Sequence, residues 1–269
     1  MSLLSSVALA KVILCAAALG LASVQDWRTR EVGDTIWLVM GCCGAALSAL
    51  ELLINFSYFR LAALALSAAL CFALGLGLYY LGFFGGADAK CLWCLGATLP
   101  SNPLEKLGLS PLGPQNPIFS ISIFNNSVLT AALLALGIAL LNATRRAKGP
   151  LFTNEERSFW KRLVAVVTGY KVSVSKVLER RDFYFPLEEF AIKGGEVERR
   201  FKLSTKVTDS DPYAVLEKLV KEGLMRGDEE IWASPAIPLI VNITLGFFVS
   251  LLYGDLVLAI IESLLAPTL

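Results

Sequence analysis

Long apolar runs separated by short polar loops occupy the first half of the chain, and one more run lies near its C-terminus. A helix needs about 20 apolar residues to cross the hydrocarbon core of a bilayer, and most of these runs reach that length. The pattern predicts six transmembrane segments, over Ser5–Val24, Thr35–Leu53, Leu61–Phe84, Asp88–Leu99, Phe124–Leu141 and Ala236–Tyr253. The fourth segment is short, and we expect its start to lie below the membrane surface. A final run, Leu256–Ala266, is too short to span and is interpreted as interfacial.

One polar stretch, 142–231, is long enough to fold outside the membrane. Two segments in it, "YKVSVSKV" and "RRFKLSTKV", alternate apolar and polar residues as half-buried strands do. The segment "DPYAVLEKLVKEG" predicts an amphipathic helix, with Asp211 as N-cap, Pro212 at the first helical position and Gly223 beyond the end. We therefore expect this stretch to form a small α+β domain.

The predicted fold class is an α-helical polytopic membrane protein with six transmembrane helices and a small α+β cytoplasmic domain before the last helix. Its composition agrees, because 55% of the residues are hydrophobic, 17% are charged and the mean hydropathy is +0.62. The expected domains are a membrane domain with segments one to five over 1–141, the cytoplasmic domain over 142–231, and the sixth helix with its tail over 232–269.

Basic residues concentrate in alternate loops. Arg28 and Arg30 lie between segments one and two, and a basic cluster follows segment five. The loops after segments two and four each carry a single basic residue, Arg60 and Lys106. The positive-inside rule then places the N-terminus outside and the basic loops in the cytoplasm. Lys11 and the apolar run after it also fit a cleaved signal peptide, but the arginines directly downstream favour a retained segment.

Charge and residue usage exclude several classes of function. The net charge of +1 gives no basic field, so nucleic acid is not an expected partner. Histidine is absent, which removes Ser-His-Asp catalysis, histidine-ligated metals and histidine proton relays. Cys91 and Cys94 form a C-x-x-C pair without a second pair to complete a tetrahedral site, so we expect no metal there. Acid–base chemistry must then use carboxylates, lysine, tyrosine or cysteine.

Two aspartates lie at segment boundaries on the same predicted face. Asp26 follows segment one, and Asp88 opens segment four directly after a Gly-Gly-Ala sequence. A carboxylate in such apolar surroundings indicates a functional role for Asp88. Asp26 fits equally well a loop acid that pairs with Arg28 or Arg30. Two carboxylates that share one proton can activate water for peptide hydrolysis, so one hypothesis is an aspartic peptidase. Asp34 is an alternative partner for Asp88, or a cap of segment two.

Three blocks of the sequence carry a family resemblance. They are "ASVQDWRTREVGDTIW" from Ala22 to Trp37, "GGADAK" from Gly85 to Lys90, and "IWASPAIPLIVNITLGF" near the C-terminus. Together, in this order and spacing, they resemble the archaeal preflagellin peptidases, which are type IV prepilin peptidase-like aspartic proteases of the GxGD membrane type.

The resemblance implies an endopeptidase that removes a short basic leader from archaellin and pilin-like precursors at the cytoplasmic membrane face. It implies Asp26 and Asp88 as the catalytic pair, and an active-site loop formed by Gly85, Gly86, Ala87 and Lys90. No cofactor or metal is expected. Bacterial members of the wider family often add a cytoplasmic cysteine tetrad and N-methyl transfer. This chain has no such tetrad, so peptidase activity alone is expected.

The expected partners are such precursors and the lipid bilayer. Glu31 and Asp34 lie beside Asp26 and could orient a basic leader, or they could simply balance the neighbouring arginines. A presenilin-like intramembrane protease is a rival interpretation, but its Tyr-Asp and Pro-Ala-Leu motifs are missing. A proton-coupled transporter is another, since transporters also carry intramembrane acids and broken segments. No inverted repeat relates the two halves of this sequence, and a purely structural scaffold leaves Asp88 unexplained.

Overall fold

The computed structural model describes residues 2–146, 152, 158–193, 196–201 and 211–265. Most of these residues are helical. The helices are α1 Leu3–Thr29, α2 Asp34–Ile54, α3 Tyr58–Tyr80, α4 Gly86–Thr98, α5 Phe119–Arg146, α6 Phe159–Thr168, α7 Val174–Glu179, α8 Pro212–Lys221, α9 Leu239–Leu252 and α10 Leu256–Leu265. The strands are β1 Tyr170–Ser173, β2 Tyr184–Pro186, β3 Glu188–Lys193, β4 Glu196–Phe201 and β5 Glu230–Pro235. Two short 3-10 helices cover Pro103–Leu107 and Arg181–Phe183.

Four of the described helices, α1, α2, α3 and α5, are long and apolar enough to cross a membrane. Helices α9 and α10 meet at a bend of 60° and would add a fifth span if they act together. Helix α4 has 13 residues and is therefore about 20 Å long, well short of the roughly 30 Å hydrocarbon core. By length and composition, the described residues thus give four or five candidate spans, and α4 is the predicted segment that falls short.

The described residues form two compact units, and the first consists of Met1–Ala131 with Pro238–Leu269. Its core is built from α1, α2, α4, the start of α5 and α9, and it includes Leu19, Met40, Leu95, Phe119 and Phe247. Helix α4 is buried along most of its length, although it is short. Apolar burial does little to drive helix association in lipid, so close van der Waals packing of small residues must hold these helices together.

The second unit, Ala132–Ile237, contains all of the described strands. Strand β5 lies between β1 and β2 and pairs antiparallel with both, while β3 and β4 form a separate antiparallel pair. Side chains from the sheet pack against α7 and α8 in a single apolar cluster that includes Leu216, Leu219 and Ile231. The unit therefore has an α+β core of its own.

Local signals in the sequence predict α8 correctly. Asp211 caps it by accepting a hydrogen bond from the N–H of Tyr213 at 3.0 Å, Pro212 is its first residue, and Gly223 follows its end with a φ of 72°. The strand predicted over "YKVSVSKV" is only half correct, because β1 ends at Ser173 and α7 begins at Val174. Val174 and Val177 are both fully buried, and their spacing suits one face of a helix. In "RRFKLSTKV", 199–201 belong to β4 and 202–207 lie outside the described residues.

Several predicted boundaries shift at glycine and proline. Helix α3 ends at Tyr80, earlier than predicted, because the chain turns at Gly82 with a φ of 77°. Strand β5 runs on to Pro235, past the predicted end of the polar domain, and α9 begins only at Leu239, after Pro238. The predicted interfacial tail is helical as α10, Leu256–Leu265.

Candidate active site

Asp26 lies in the last turn of α1, and its side chain is largely buried. Its Oδ2 accepts a hydrogen bond of 3.2 Å from the backbone N–H of Ile240, in the first turn of α9. Its Oδ1 lies 3.8 Å from Nη1 of Arg30. A helix N-terminus and a guanidinium both favour negative charge, so these neighbours form a suitable environment for a carboxylate.

Arg30 ends α1 in a left-handed conformation with a φ of 59°. Its N–H donates to the carbonyl oxygen of Asp26 at 3.2 Å, which is the last hydrogen bond of the helix. A left-handed backbone conformation costs a residue with a side chain about 1–2 kcal/mol, and such strain is concentrated at functional sites. Of the two arginines that the sequence offered as partners of Asp26, Arg30 is the one that lies close to it.

Asp88 is the third residue of α4 and is half-buried. Its Oδ2 accepts a hydrogen bond of 2.8 Å from the N–H of Gly85, which precedes the helix. A Cβ atom on Gly85 would lie 3.2 Å from this Oδ2, whereas one on Gly86 would meet nothing within 4 Å. Gly85 has an ordinary φ of −75°, so its lack of a side chain matters here only for the space that it leaves beside the carboxylate.

The fold brings the two aspartates to the same end of the first unit. The aspartates flank one buried cluster, since Ala22 of α1 belongs to it and Ala87 of α4 packs against it. They come from the end of α1 and the start of α4. Ala87, between Gly86 and Asp88, packs against the core cluster of this unit and anchors the start of α4.

Three other predicted site residues, Lys90, Asp34 and Glu31, lie near the two aspartates. Lys90 reaches from α4 to Asp34 in the first turn of α2, with Nζ 2.6 Å from Oδ1. The Lys90–Asp34 ion pair is exposed, and it links the two sequence blocks that carry the aspartates. Glu31 is exposed on the loop between α1 and α2. The same loop is tied back to α1 by Gln25, whose Oε1 accepts from the N–H of Gly33 at 3.0 Å.

A shallow groove of about 360 Å³ lies between α1 and α9 near the end of α1, with Ser23 and Arg28 among its lining residues. Its walls include Val24, Trp27 and Val241. Trp27 follows Asp26 directly in the chain, and 64% of its surface is exposed. An exposed tryptophan at the end of a membrane-length helix suits contact with an apolar partner at the membrane boundary.

Within the described ranges, no group of three or more cysteine, aspartate or glutamate side chains is placed to hold a metal ion. Cys91 and Cys94 are buried, and Sγ of Cys94 donates to the carbonyl oxygen of Trp37 at 3.3 Å. The C-x-x-C pair therefore contributes to packing among α1, α2 and α4. The chemistry that this arrangement offers is that of two neighbouring carboxyl groups.

Reasoning from the sequence did not predict that the backbone N–H of Ile240 binds the carboxylate of Asp26. The signal for the start of α9 was present, because Pro238 precedes an apolar run and proline commonly marks the start of a helix. What the sequence could not show is that this helix start points at the end of α1. That alignment depends on packing between α1 and α9, where Ser23 and Thr244 also share a hydrogen bond of 2.7 Å.

Comparison with known proteins finds matches to leader peptidases over almost the whole chain. The model of the "Type IV leader peptidase family" matches residues 13–173, and that of the "Archaeal Peptidase A24 C-terminus Type II" matches residues 161–256. A protein of Methanococcus maripaludis called preflagellin peptidase is 28% identical over 252 residues, covering 91% of this chain and 96% of its own length. The preflagellin peptidases of Methanococcus voltae and Methanocaldococcus jannaschii are each 26% identical, and cover 90% and 93% of this chain and 94% and 97% of their own lengths.

These matches favour neither a transporter nor a presenilin-like protease. The first family match includes both aspartates and covers more than half of the chain. The protein is therefore a member of the type IV leader peptidase family.

Proposed function

We propose that this protein is a membrane aspartic endopeptidase that removes the short basic leader peptide from preflagellin and from other type IV pilin-like precursors. In this proposal Asp26 and Asp88 form the catalytic pair. The observation that supports it most is that Asp26 ends α1 and Asp88 begins α4 beside one shared buried cluster, and both lie in the sequence blocks typical of the family. The names of the similar proteins support preflagellin as a substrate.

The proposed reaction needs one ionised and one protonated carboxyl group. The ionised group accepts a proton from water while the water oxygen attacks the carbonyl carbon of the scissile bond. The protonated group donates its proton to the carbonyl oxygen, giving a tetrahedral intermediate. When the intermediate collapses, the C–N bond breaks, the leaving amine takes the proton that came from water, and a hydroxyl of the intermediate returns a proton to the carboxylate that had protonated the carbonyl oxygen. The two carboxyl groups act as one unit in this scheme, and their titration would belong to the pair.

The proposed orientation follows from helix parity and from the basic loops. Six crossings are obtained if α4 and the bent pair α9–α10 each count as one span beside the four long helices. With the N-terminus outside, the end of α1 and the start of α4 both face the cytoplasm. The peptidase would then act at the cytoplasmic face of a cell membrane, and the polar unit before α9 would be cytoplasmic.

Two surfaces near the aspartates suit the two parts of such a precursor. Glu31 provides negative charge for a basic leader, and Asp34 balances the charge of Lys90, which would otherwise repel that leader. The groove beside Trp27, with Val24 and Val241 in its walls, suits the apolar helix that follows the leader. The scissile bond would lie between these surfaces, beside Asp26.

The test is precursor cleavage by the purified full chain in detergent, with Asp26→Asn and Asp88→Asn compared with wild type. Each amide keeps the shape of the side chain but removes its acid–base capacity. We expect either change to lower the cleavage rate by about 10²–10⁴-fold. Asp228→Asn is the matched control, because Asp228 is an exposed acid of the second unit that pairs with Arg226 at 2.6 Å.

The outcomes separate the rival assignments. Loss of cleavage in both variants, with the control unchanged and folding retained, supports the pair. If Asp26→Asn still cleaves, Asp26 is not catalytic and Asp34 becomes the candidate partner of Asp88. If the wild type cleaves no precursor with a basic leader, the proposed substrate is wrong.

A further inference from the structure

A second cluster of charged side chains lies at the opposite end of α1 from Asp26. Nζ of Lys11 is 2.8 Å from Oε2 of Glu51, and Nζ of Lys106 bonds to the other oxygen of the same carboxylate. Lys11 and Glu51 are buried, with side chains 3% and 10% exposed. Along the helix axis, Lys11 lies about 22 Å from Asp26. The proposed peptidase chemistry does not use this cluster.

The cluster carries an excess of positive charge. Two lysines share one carboxylate, so Lys11, Glu51 and Lys106 together have a net charge of +1. Lys106 also donates to Oγ of Ser101 at 3.2 Å, which gives it a polar neighbour but no second counter-ion. Lys11 and Glu51 balance each other, so the excess charge is on Lys106, whose side chain is partly exposed. An anion beside Lys106 would therefore be stabilised.

A cavity of about 620 Å³ opens directly onto this cluster. Besides the three clustered residues, its charged lining consists of Arg60, at the start of α3, and Glu105. The sum over these five side chains is three positive and two negative charges. The guanidinium of Arg60 uses Nη1 to donate to the carbonyl oxygen of Asn55 at 3.1 Å, and it has further N–H groups for another acceptor.

The remaining wall of the cavity is mostly apolar. It includes Phe59 and Leu66 of α3, whose side chains are 81% and 52% exposed. In a helix long and apolar enough to span a membrane, such side chains face lipid. Arg60 lies near the start of this helix, and Lys106 follows the end of α4. Arg60 and Lys106 are therefore at the depth of lipid headgroups, while Leu66, further along α3, is at the depth of acyl chains.

We propose that this cavity binds an anionic phospholipid. Arg60 and Lys106 hold the phosphate-bearing headgroup, and the apolar side chains of α3 contact the lipid chain. Charge complementarity selects an anionic headgroup, and the apolar wall selects a lipid over a free phosphate ion. This site does not depend on the peptidase reaction, so it stands or falls separately from the proposed function.

The test is native mass spectrometry of the delipidated full chain in detergent, titrated with phosphatidylglycerol, with phosphatidylcholine of the same acyl chains, and with inorganic phosphate. We expect phosphatidylglycerol to bind about tenfold more tightly than phosphatidylcholine, and phosphate to bind more weakly than either lipid. Arg60→Gln should weaken phosphatidylglycerol binding by about fivefold. Glu105→Gln should strengthen it, because the change removes a negative charge from the cavity.

Arg226→Gln is the matched control, since Arg226 is an exposed arginine of the second unit. It should leave the lipid affinity unchanged. All three variants keep the buried Lys11–Glu51–Lys106 cluster intact, and thermal unfolding should confirm that each is folded. Equal affinity for the two lipids, or equal loss in Arg60→Gln and Arg226→Gln, would overturn the proposal. If phosphate binds as tightly as phosphatidylglycerol, the ligand of this cavity is a free anion and not a lipid, and the proposal is likewise overturned.

Discussion

At the scale of single residues, Asp88 depends on a neighbour that has no side chain. Gly85 donates its N–H to the Asp88 carboxylate and leaves room for the carboxylate to stay there. The adjacent Gly86 lies within α4, and space beside it is open. The sequence shows both glycines equally, and only the structure separates their roles.

Gly85→Ala should slow precursor cleavage by about tenfold, because the added Cβ would lie 3.2 Å from Oδ2 of Asp88 and displace the carboxylate. Gly86→Ala should have a clearly smaller effect, since its Cβ meets nothing within 4 Å and alanine favours a helix. The cleavage rates of the two variants, measured with one precursor at saturating concentration, give the comparison. Equal losses would mean that flexibility of the loop matters more than space beside Asp88.

A second prediction at this scale concerns Asp34 and Lys90, which neutralise each other. Asp34→Asn leaves the positive charge of Lys90 beside the leader-binding surface. The KM for a basic leader should rise about threefold, and adding Lys90→Met should reverse most of that rise. A precursor with a neutral leader is the control, and its KM should not change. If both precursors respond alike, the two residues act on structure and not on the charge of the leader.

At the scale of secondary-structure elements, the short helix α4 is held by close approach to α3. A Cβ on Gly96 would lie 2.5 Å from Cβ of Cys71 and 2.9 Å from the carbonyl oxygen of Ser67. Ser67 also donates to the carbonyl oxygen of Gly96 at 2.8 Å. Glycine at this position lets the two backbones approach, as small residues do between helices in lipid.

Gly96→Ala should therefore destabilise the protein by about 1–3 kcal/mol, because α3 and α4 must separate to admit the methyl group. Gly77→Ala in α3 is the matched control, since a Cβ there meets nothing within 4 Å. It should be neutral or slightly stabilising. Thermal unfolding of both variants in the same detergent tests the difference. A Gly96→Ala protein as stable as wild type would show that the α3–α4 contact is not tight.

At the scale of the whole molecule, the proposed orientation can be tested with two single cysteines. Glu31→Cys lies in the loop between α1 and α2, and Asn55→Cys follows the end of α2. If the N-terminus is outside, an impermeant maleimide should label Asn55→Cys in intact cells, and Glu31→Cys only after permeabilisation. Wild-type protein gives the background from the six native cysteines. The reverse labelling pattern would invert the orientation.

Much of the architecture could be predicted from the sequence, because the signals for it are local. Apolar length indicated the long helices, and the Asp211–Pro212 start with Gly223 at the end defined α8. The change from strand β1 to helix α7 at Val174 was not predicted. The apolar residues of this short segment are spaced in a way that fits a strand and a helix, and packing in the core of the second unit decides between them. The sequence singled out the two aspartates by their setting in the chain, and their catalytic role stays a prediction. The hydrogen bond from Ile240 to Asp26 could not be predicted, because it depends on the packing of α1 against α9.

The hydrogen bond from Ile240 to Asp26 also has a consequence for the biogenesis of the protein. During synthesis, the ribosome completes α1 and α4, and hence both carboxyl groups, long before it reaches α9. Until α9 has been translated and inserted, Asp26 lacks the N–H that it binds in the folded protein. A nascent chain therefore carries both acids in the membrane before the environment of Asp26 is finished. This order of assembly would delay proteolysis until the chain is complete, and it would protect neighbouring membrane proteins from an immature peptidase.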